Sequence, residues 1–112
     1  MRTLIFKTKP VGVNKRYTIS RGRNILSKEY REAKETMQWE AKSQWQGEPL
    51  DEDLTVNILL YLGSNRTDID AYIKIILDTL TDIAYEDDKQ VTELSVVKMF
   101  DKENPRVVVQ VL

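Results

Sequence analysis

Leu54 to Leu62 is the stretch that leaves this chain the least conformational choice. Leu54, Val56, Ile58, Leu60 and Leu62 alternate with Thr55, Asn57, Leu59 and Tyr61. A side-chain period of two demands a strand with one wholly apolar face. Leu59 and Tyr61 make the second face partly apolar, so both sides of the strand are expected to be at least partly covered.

The neighbouring segments follow from that strand. Gly63 to Arg66 reads as a turn. A helix is expected from about Asp68 to Ala84, with Ile73, Ile76, Leu77, Leu80 and Ile83 as its buried stripe. Tyr85 to Lys89 reads as a loop, Gln90 to Phe100 as a strand, Asp101 to Pro105 as a turn and Arg106 to Leu112 as a last strand. The last two strands are expected to form a C-terminal hairpin.

Upstream, Thr3 to Phe6 reads as a short strand ended by Pro10 and Gly12. Val11 to Asn24 reads as a loop or loose hairpin, extended at Tyr17-Thr18-Ile19. A helix capped by Ser27 runs from Lys28 to about Gln46, with Tyr30, Ala33, Met37, Ala41 and Trp45 on one stripe. Gly47, Glu48 and Pro49 end it. The element order predicts an α+β fold: a single small domain over residues 1–112, with a mixed or antiparallel sheet and two main helices packed on it.

Composition narrows the chemistry. The chain has 112 residues, no cysteine and no histidine. That length suits one modest core. Lack of cysteine removes disulfides and thiolate metal sites, and fits a reducing compartment. Lack of histidine removes serine–histidine and cysteine–histidine catalysis, leaving carboxylates, lysine, tyrosine or metal-activated water. No uncharged apolar run is long enough to span a membrane, and no signal-peptide core is recognisable, so a cytoplasmic or nucleoid-associated protein is expected.

A net charge of −1 hides a split. Residues 1–28 carry Arg2, Lys7, Lys9, Lys15, Arg16, Arg21, Arg23 and Lys28 and no acid. The remaining residues carry nine bases and all 18 acids, a net of −9. Such asymmetry points to a polyanion at the basic end and a cation at the acidic end, or simply to solvated basic loops. Lys15, Arg16, Arg21, Arg23 and Lys28 are the candidate phosphate contacts, with Gly22 giving the arginine pair room to approach neighbouring phosphates.

The acids gather in two places. Asp68 and Asp70 open the second helix, and Asp87 and Asp88 follow it. Asp70, Lys74 and Asp78 stand at i, i+4 and i+8, in one row of a helix. One reading is local: Thr67 caps the helix, Asp68 and Asp70 complement its dipole, and Asp87-Asp88 is a polar turn. The other reading is a metal site. Clustered carboxylates repel one another unless a hard cation lies between them, and oxygen ligands without cysteine or histidine suit Mg²⁺ or Mn²⁺. Lys74 would add positive charge beside it.

These residues also carry a resemblance. Asp68-Ile69-Asp70, Lys74 and Asp78-Thr79-Leu80, followed by Tyr85-Glu86-Asp87-Asp88-Lys89-Gln90-Val91 and Val97-Lys98, resemble the signature of the RusA family of Holliday-junction resolvases. Pro10, Asn14, Tyr17 and Arg21-Gly22-Arg23 resemble that family's opening, and the likeness extends with gaps over most of the chain. It implies a small homodimeric, Mg²⁺-dependent endonuclease that cuts paired strands of a four-way DNA junction. It implies that Asp68, Asp70 and Asp88 are the essential, metal-holding carboxylates, with Lys74 essential beside them and Asp87 at most in support. Two positions depart from the family pattern: Ala71 stands where asparagine is common, and Thr81-Asp82 where Asn-Gly or similar is common. Two other readings are carried: a non-catalytic nucleic-acid-binding protein of the same fold, and an interaction module stabilised by a divalent cation.

Overall fold

The computed structural model describes all 112 residues. Strand β4 (Leu54–Leu62) is the centre of a four-stranded sheet in the order β1-β6-β4-β5. Strand β1 spans Arg2–Phe6, β5 Val91–Phe100 and β6 Arg106–Val111. A separate hairpin pairs β2 (Tyr17–Ser20) with β3 (Arg23–Leu26). Two helices, α1 (Lys28–Gln44) and α2 (Ile73–Leu80), complete an α+β domain with a mixed sheet.

The alternation in β4 emerges as read. Leu54, Val56, Ile58, Leu60 and Leu62 are buried, and the residues between them are half-buried. Val107, Val109 and Val111 of β6 and Leu4 and Phe6 of β1 extend that buried face across the sheet. Against it pack Tyr30, Met37, Ala41 and Trp45 of the α1 stripe and Ile75, Ile76 and Leu80 of α2. Burial of this apolar area is the main stabilising term.

The expected C-terminal hairpin does not form. β4 lies between β5 and β6, pairing parallel with β5 and antiparallel with β6. The reason is in the side chains. β6 supplies valines to the interior, whereas Thr92, Glu93, Ser95 and Lys98 suit β5 to an edge, where most of its residues are exposed. The turn after Phe100 crosses the end of β4, and the Asp101 amide donates to the Leu62 carbonyl at 2.8 Å. Neighbouring strands lie about 4.8 Å apart, so a five-residue turn spans two spacings easily.

The second helix is shorter than expected at both ends. Residues 68–72 form turns, closed by Ala71 N–H to the Asp68 carbonyl (3.1 Å) and by Ile73 N–H to the Asp70 carbonyl (3.5 Å). The Ala71 carbonyl accepts from the Val13 amide at 2.9 Å, which ties this turn to the N-terminal segment. At the other end Asp82 adopts φ 69°, and its amide donates to the Tyr85 carbonyl at 2.7 Å. A left-handed residue there turns the chain out of the helix.

The β1 edge is masked by side chains of α1. The Gln44 amide accepts from Ile5 N–H at 2.8 Å and donates to the Ile5 carbonyl at 2.7 Å, as a neighbouring strand would. Glu40 accepts from the Lys7 amide at 2.7 Å. This cover removes one of the two open edges from edge-to-edge pairing.

Candidate active site

The site is built on α2 and the chain on either side of it. β4 delivers the chain to the turn holding Asp68 and Asp70, both exposed. The preceding segment lies against that turn, held by the Val13 amide on the Ala71 carbonyl at 2.9 Å, with Gly12 beside the Ala71 methyl. Between the two segments is a cleft of about 420 Å³, with Lys9, Asn14, Lys15, Arg66 and Asp68 on its walls.

Lys74, in the first turn of α2, bridges an acid of the helix to one in the loop that follows. Its Nζ lies 3.1 Å from Asp78 Oδ1, one turn along, and 3.7 Å from Asp88 Oδ2. The expected row of Lys74 and Asp78 is thus real, while Asp70 precedes the helix rather than lying on it. Asp88 begins a short 3-10 turn, Asp88–Gln90. Asp87 caps that turn: its carboxylate accepts from the Lys89 amide at 2.9 Å, and this bond holds its carboxyl below the usual range. Gln90 Oε1 accepts from the amides of Glu86 and Asp87, and its Nε2 donates to the carbonyls of Leu50 and Glu52. The loop that positions Asp88 is thereby tied to the segment before β4.

Asp78 is the hub of the site, and its role was not read from the sequence. The Tyr30 hydroxyl donates to Asp78 Oδ2 at 2.6 Å, and Arg16 Nη2 lies 3.7 Å from the same oxygen. Burial pushes the Tyr30 phenol well above its ordinary value, and the bond to Asp78 adds to the shift. Tyr85 is buried beside the same cluster, donates to the Leu77 carbonyl at 2.7 Å, and is raised by burial and then by the charge of Asp88. The i, i+4 spacing of Lys74 and Asp78 was a signal for this hub. Tyr30 gave none, because a tyrosine in an apolar stripe reads as packing.

The cations divide. Lys15, Arg21, Arg23 and Lys28 are exposed, with Lys28 3.8 Å from Glu32. Arg16 turns inward instead, to Asp78, with its guanidinium over the rings of Tyr17 (4.8 Å) and Tyr30 (5.7 Å).

The donors suit a hard cation, being carboxylate oxygens without sulfur or imidazole. As folded, however, no three acidic side chains gather closely enough to hold one ion. Asp68 and Asp70 stand on exposed turns, and the charge between Asp78 and Asp88 is supplied by Lys74.

Among curated proteins, no match to the chain is found. A family model described as Endodeoxyribonuclease RusA does match, over residues 8–112, a range that takes in the exposed cations, the Asp68–Asp70 turn, Lys74 and Asp88. The chain belongs to the RusA endodeoxyribonuclease family of Holliday-junction-resolving nucleases.

Proposed function

We propose that this protein is a Mg²⁺-dependent, structure-selective endonuclease that resolves four-way DNA junctions by paired symmetric nicks. The observation that carries the proposal is Lys74, whose ammonium bridges Asp78 of α2 and Asp88 of the loop after it, while Asp68 shares a cleft with Lys9, Lys15 and Arg66.

In this proposal Asp68, Asp70 and Asp88 hold Mg²⁺, with Mn²⁺ able to take its place and Asp87 fixing the loop of Asp88. The chemistry such an ion supplies is Lewis-acid polarisation of the scissile phosphate. The protein's own residues do the rest. Lys74 places a positive charge where negative charge grows as the phosphodiester is attacked. Tyr30 and Arg16 fix Asp78, and Asp78 fixes the Lys74 ammonium, so that charge is oriented before substrate arrives. Lys15, Arg21, Arg23 and Lys28 bind backbone phosphates, which supplies affinity without sequence reading.

One site cuts one strand, and a junction needs two cuts, so we propose a homodimer matched to a roughly two-fold substrate. The exposed Leu94 and Phe100, which share one face of the edge strand β5, are the apolar surface that a second copy would cover. No helix is long and apolar enough to cross a membrane, and for a DNA substrate we propose a cytoplasmic or nucleoid-associated location.

A second reading, DNA binding without cleavage, is favoured by one observation, the absence of a three-acid cluster around one point. One gel separates the two. Wild type and Asp70→Asn are incubated with a synthetic four-way junction and with linear duplex, each with and without Mg²⁺. Nuclease activity gives Mg²⁺-dependent paired nicks in the junction from wild type only, with binding kept by the variant. Binding without nicks under every condition selects the second reading.

A further inference from the structure

We infer that the β2–β3 hairpin is a wedge that inserts Ile19 between bases at the branch point of its DNA substrate.

The arm breaks the pattern of the rest of the molecule. Every residue of β2 and β3 is exposed except Leu26 at its root. Ile19 is 75% exposed, Tyr17 51% and Ile25 44%. A lone exposed isoleucine needs no explanation. Three large apolar side chains on one ten-residue arm, none of them with a place in the core, call for an occupant.

Charge indicates which occupant. Lys15, Arg21, Arg23 and Lys28 lie on or beside the arm, and residues 1–28 carry no acid at all. Apolar side chains set among cations match stacked bases set between phosphates. The inference rests on the nuclease reading for its choice of DNA.

Geometry aims the arm. Residues at i and i+2 share a face of a strand, so Tyr17 and Ile19 point the same way. The Arg16 guanidinium over the Tyr17 ring fixes the inner of the two and leaves Ile19 as the outer point. Arg21 and Gly22 take φ of 52° and 75°, the two left-handed residues of a tight hairpin turn. That turn places Arg21 at the tip and Arg23 directly after it, two exposed cations for the phosphates that flank an opened step.

The arm is rooted in the candidate site itself. Val13 bonds to Ala71 at 2.9 Å, Arg16 reaches Asp78 at 3.7 Å, and the Ser27 hydroxyl donates to the Lys15 carbonyl at 2.7 Å. A strand of four residues extends about 13 Å, roughly four base steps of 3.4 Å. The opened step therefore falls within about four nucleotides of the scissile phosphate. Inserted apolar side chains unstack bases in this way, and a branch point, already strained, is the least costly place to do it.

The test uses the full chain in EDTA and a four-way junction carrying 2-aminopurine at the branch point. Saturating wild type should raise its fluorescence several-fold. Ile19→Ala should remove most of that rise while binding weakens no more than about tenfold, and Ile19→Leu should restore it. Melting temperatures of both variants should match wild type, since the side chain is outside the core. Equal fluorescence from wild type and Ile19→Ala, both saturated, overturns the inference. So does a silent probe with wild type bound. A change in sedimentation of Ile19→Ala with fluorescence unaltered would assign the arm to contact between copies and also overturn it. If wild type cuts junctions while the probe stays dark, only the wedge fails. If wild type neither binds nor cuts junctions, the nuclease reading fails and the wedge falls with it.

Discussion

The Tyr30 hydroxyl donates a 2.6 Å hydrogen bond to the carboxylate of Asp78, joining α1 to α2 at the candidate site. The phenol is buried, and its neutral form is the one that can donate. A tyrosine whose proton is held more tightly when folded adds stability that is complete below about pH 10, the unfolded value, and declines as the pH rises past it. Tyr85 is shifted the same way and adds to the decline. Stability measured by urea titration should therefore be level through neutral pH and fall above about pH 10. Tyr30→Phe should cost about 1.5 kcal/mol at pH 7, as expected for a hydrogen bond to a charged partner, and should flatten the alkaline fall.

Lys74 carries charge rather than stability. Its partners are partly solvated, and such ion pairs contribute little, of order 1 kcal/mol or less. Lys74→Gln should therefore fold normally and bind junctions nearly as well as wild type. Single-turnover cleavage should fall by about 10²-fold or more, the scale of losing one preorganised positive group in a transition state. A variant that cleaves within a few-fold of wild type would remove Lys74 from the chemistry.

Three acids that do not converge without an ion should be drawn together by one. Asp68 and Asp70 lie on exposed turns rather than in the helix, so the movement required is local. Binding to the folded state alone raises stability by RT ln(1 + [L]/Kd), about 2.7 kcal/mol at one hundred times Kd. Mg²⁺ should raise the melting temperature of wild type, and EDTA should reverse the rise. Asp70→Asn and Asp88→Asn should each lose most of it. Equal stabilisation of all three proteins would place the ion elsewhere.

Much of this architecture is legible in the sequence. Strict alternation in Leu54–Leu62 and the 3.6-residue stripe from Tyr30 to Trp45 are local signals, and both elements form where they were read. The pairing of the last two strands was not legible, because a short turn looks the same whether it joins neighbours or steps over a strand. The ends of α2 were missed for a related reason. Ala71 gives its carbonyl to Val13, and Asp82 closes onto Tyr85, and both are contacts that local propensity cannot contain. Within the site, the Lys74–Asp78 pair was visible as spacing, whereas Tyr30 meets Asp78 across 48 residues of sequence.

Arg16 and the exposed arginines should separate in a salt titration. Arg21 and Arg23 face solvent on the arm, whereas Arg16 is folded against Asp78, Tyr17 and Tyr30. Each phosphate contact releases condensed counterions, so losing one lowers the slope of log K against log salt by roughly 0.9 on duplex arms. Arg21→Gln and Arg23→Gln should each reduce the slope of junction binding by about that amount. Arg16→Gln should leave the slope unchanged, because its charge is spent inside the protein. Its cost should appear instead in cleavage, through a loosened Asp78 and a misplaced Lys74 ammonium, and in a modest loss of stability. A slope lowered equally by all three substitutions would mean that Arg16 leaves Asp78 when DNA binds.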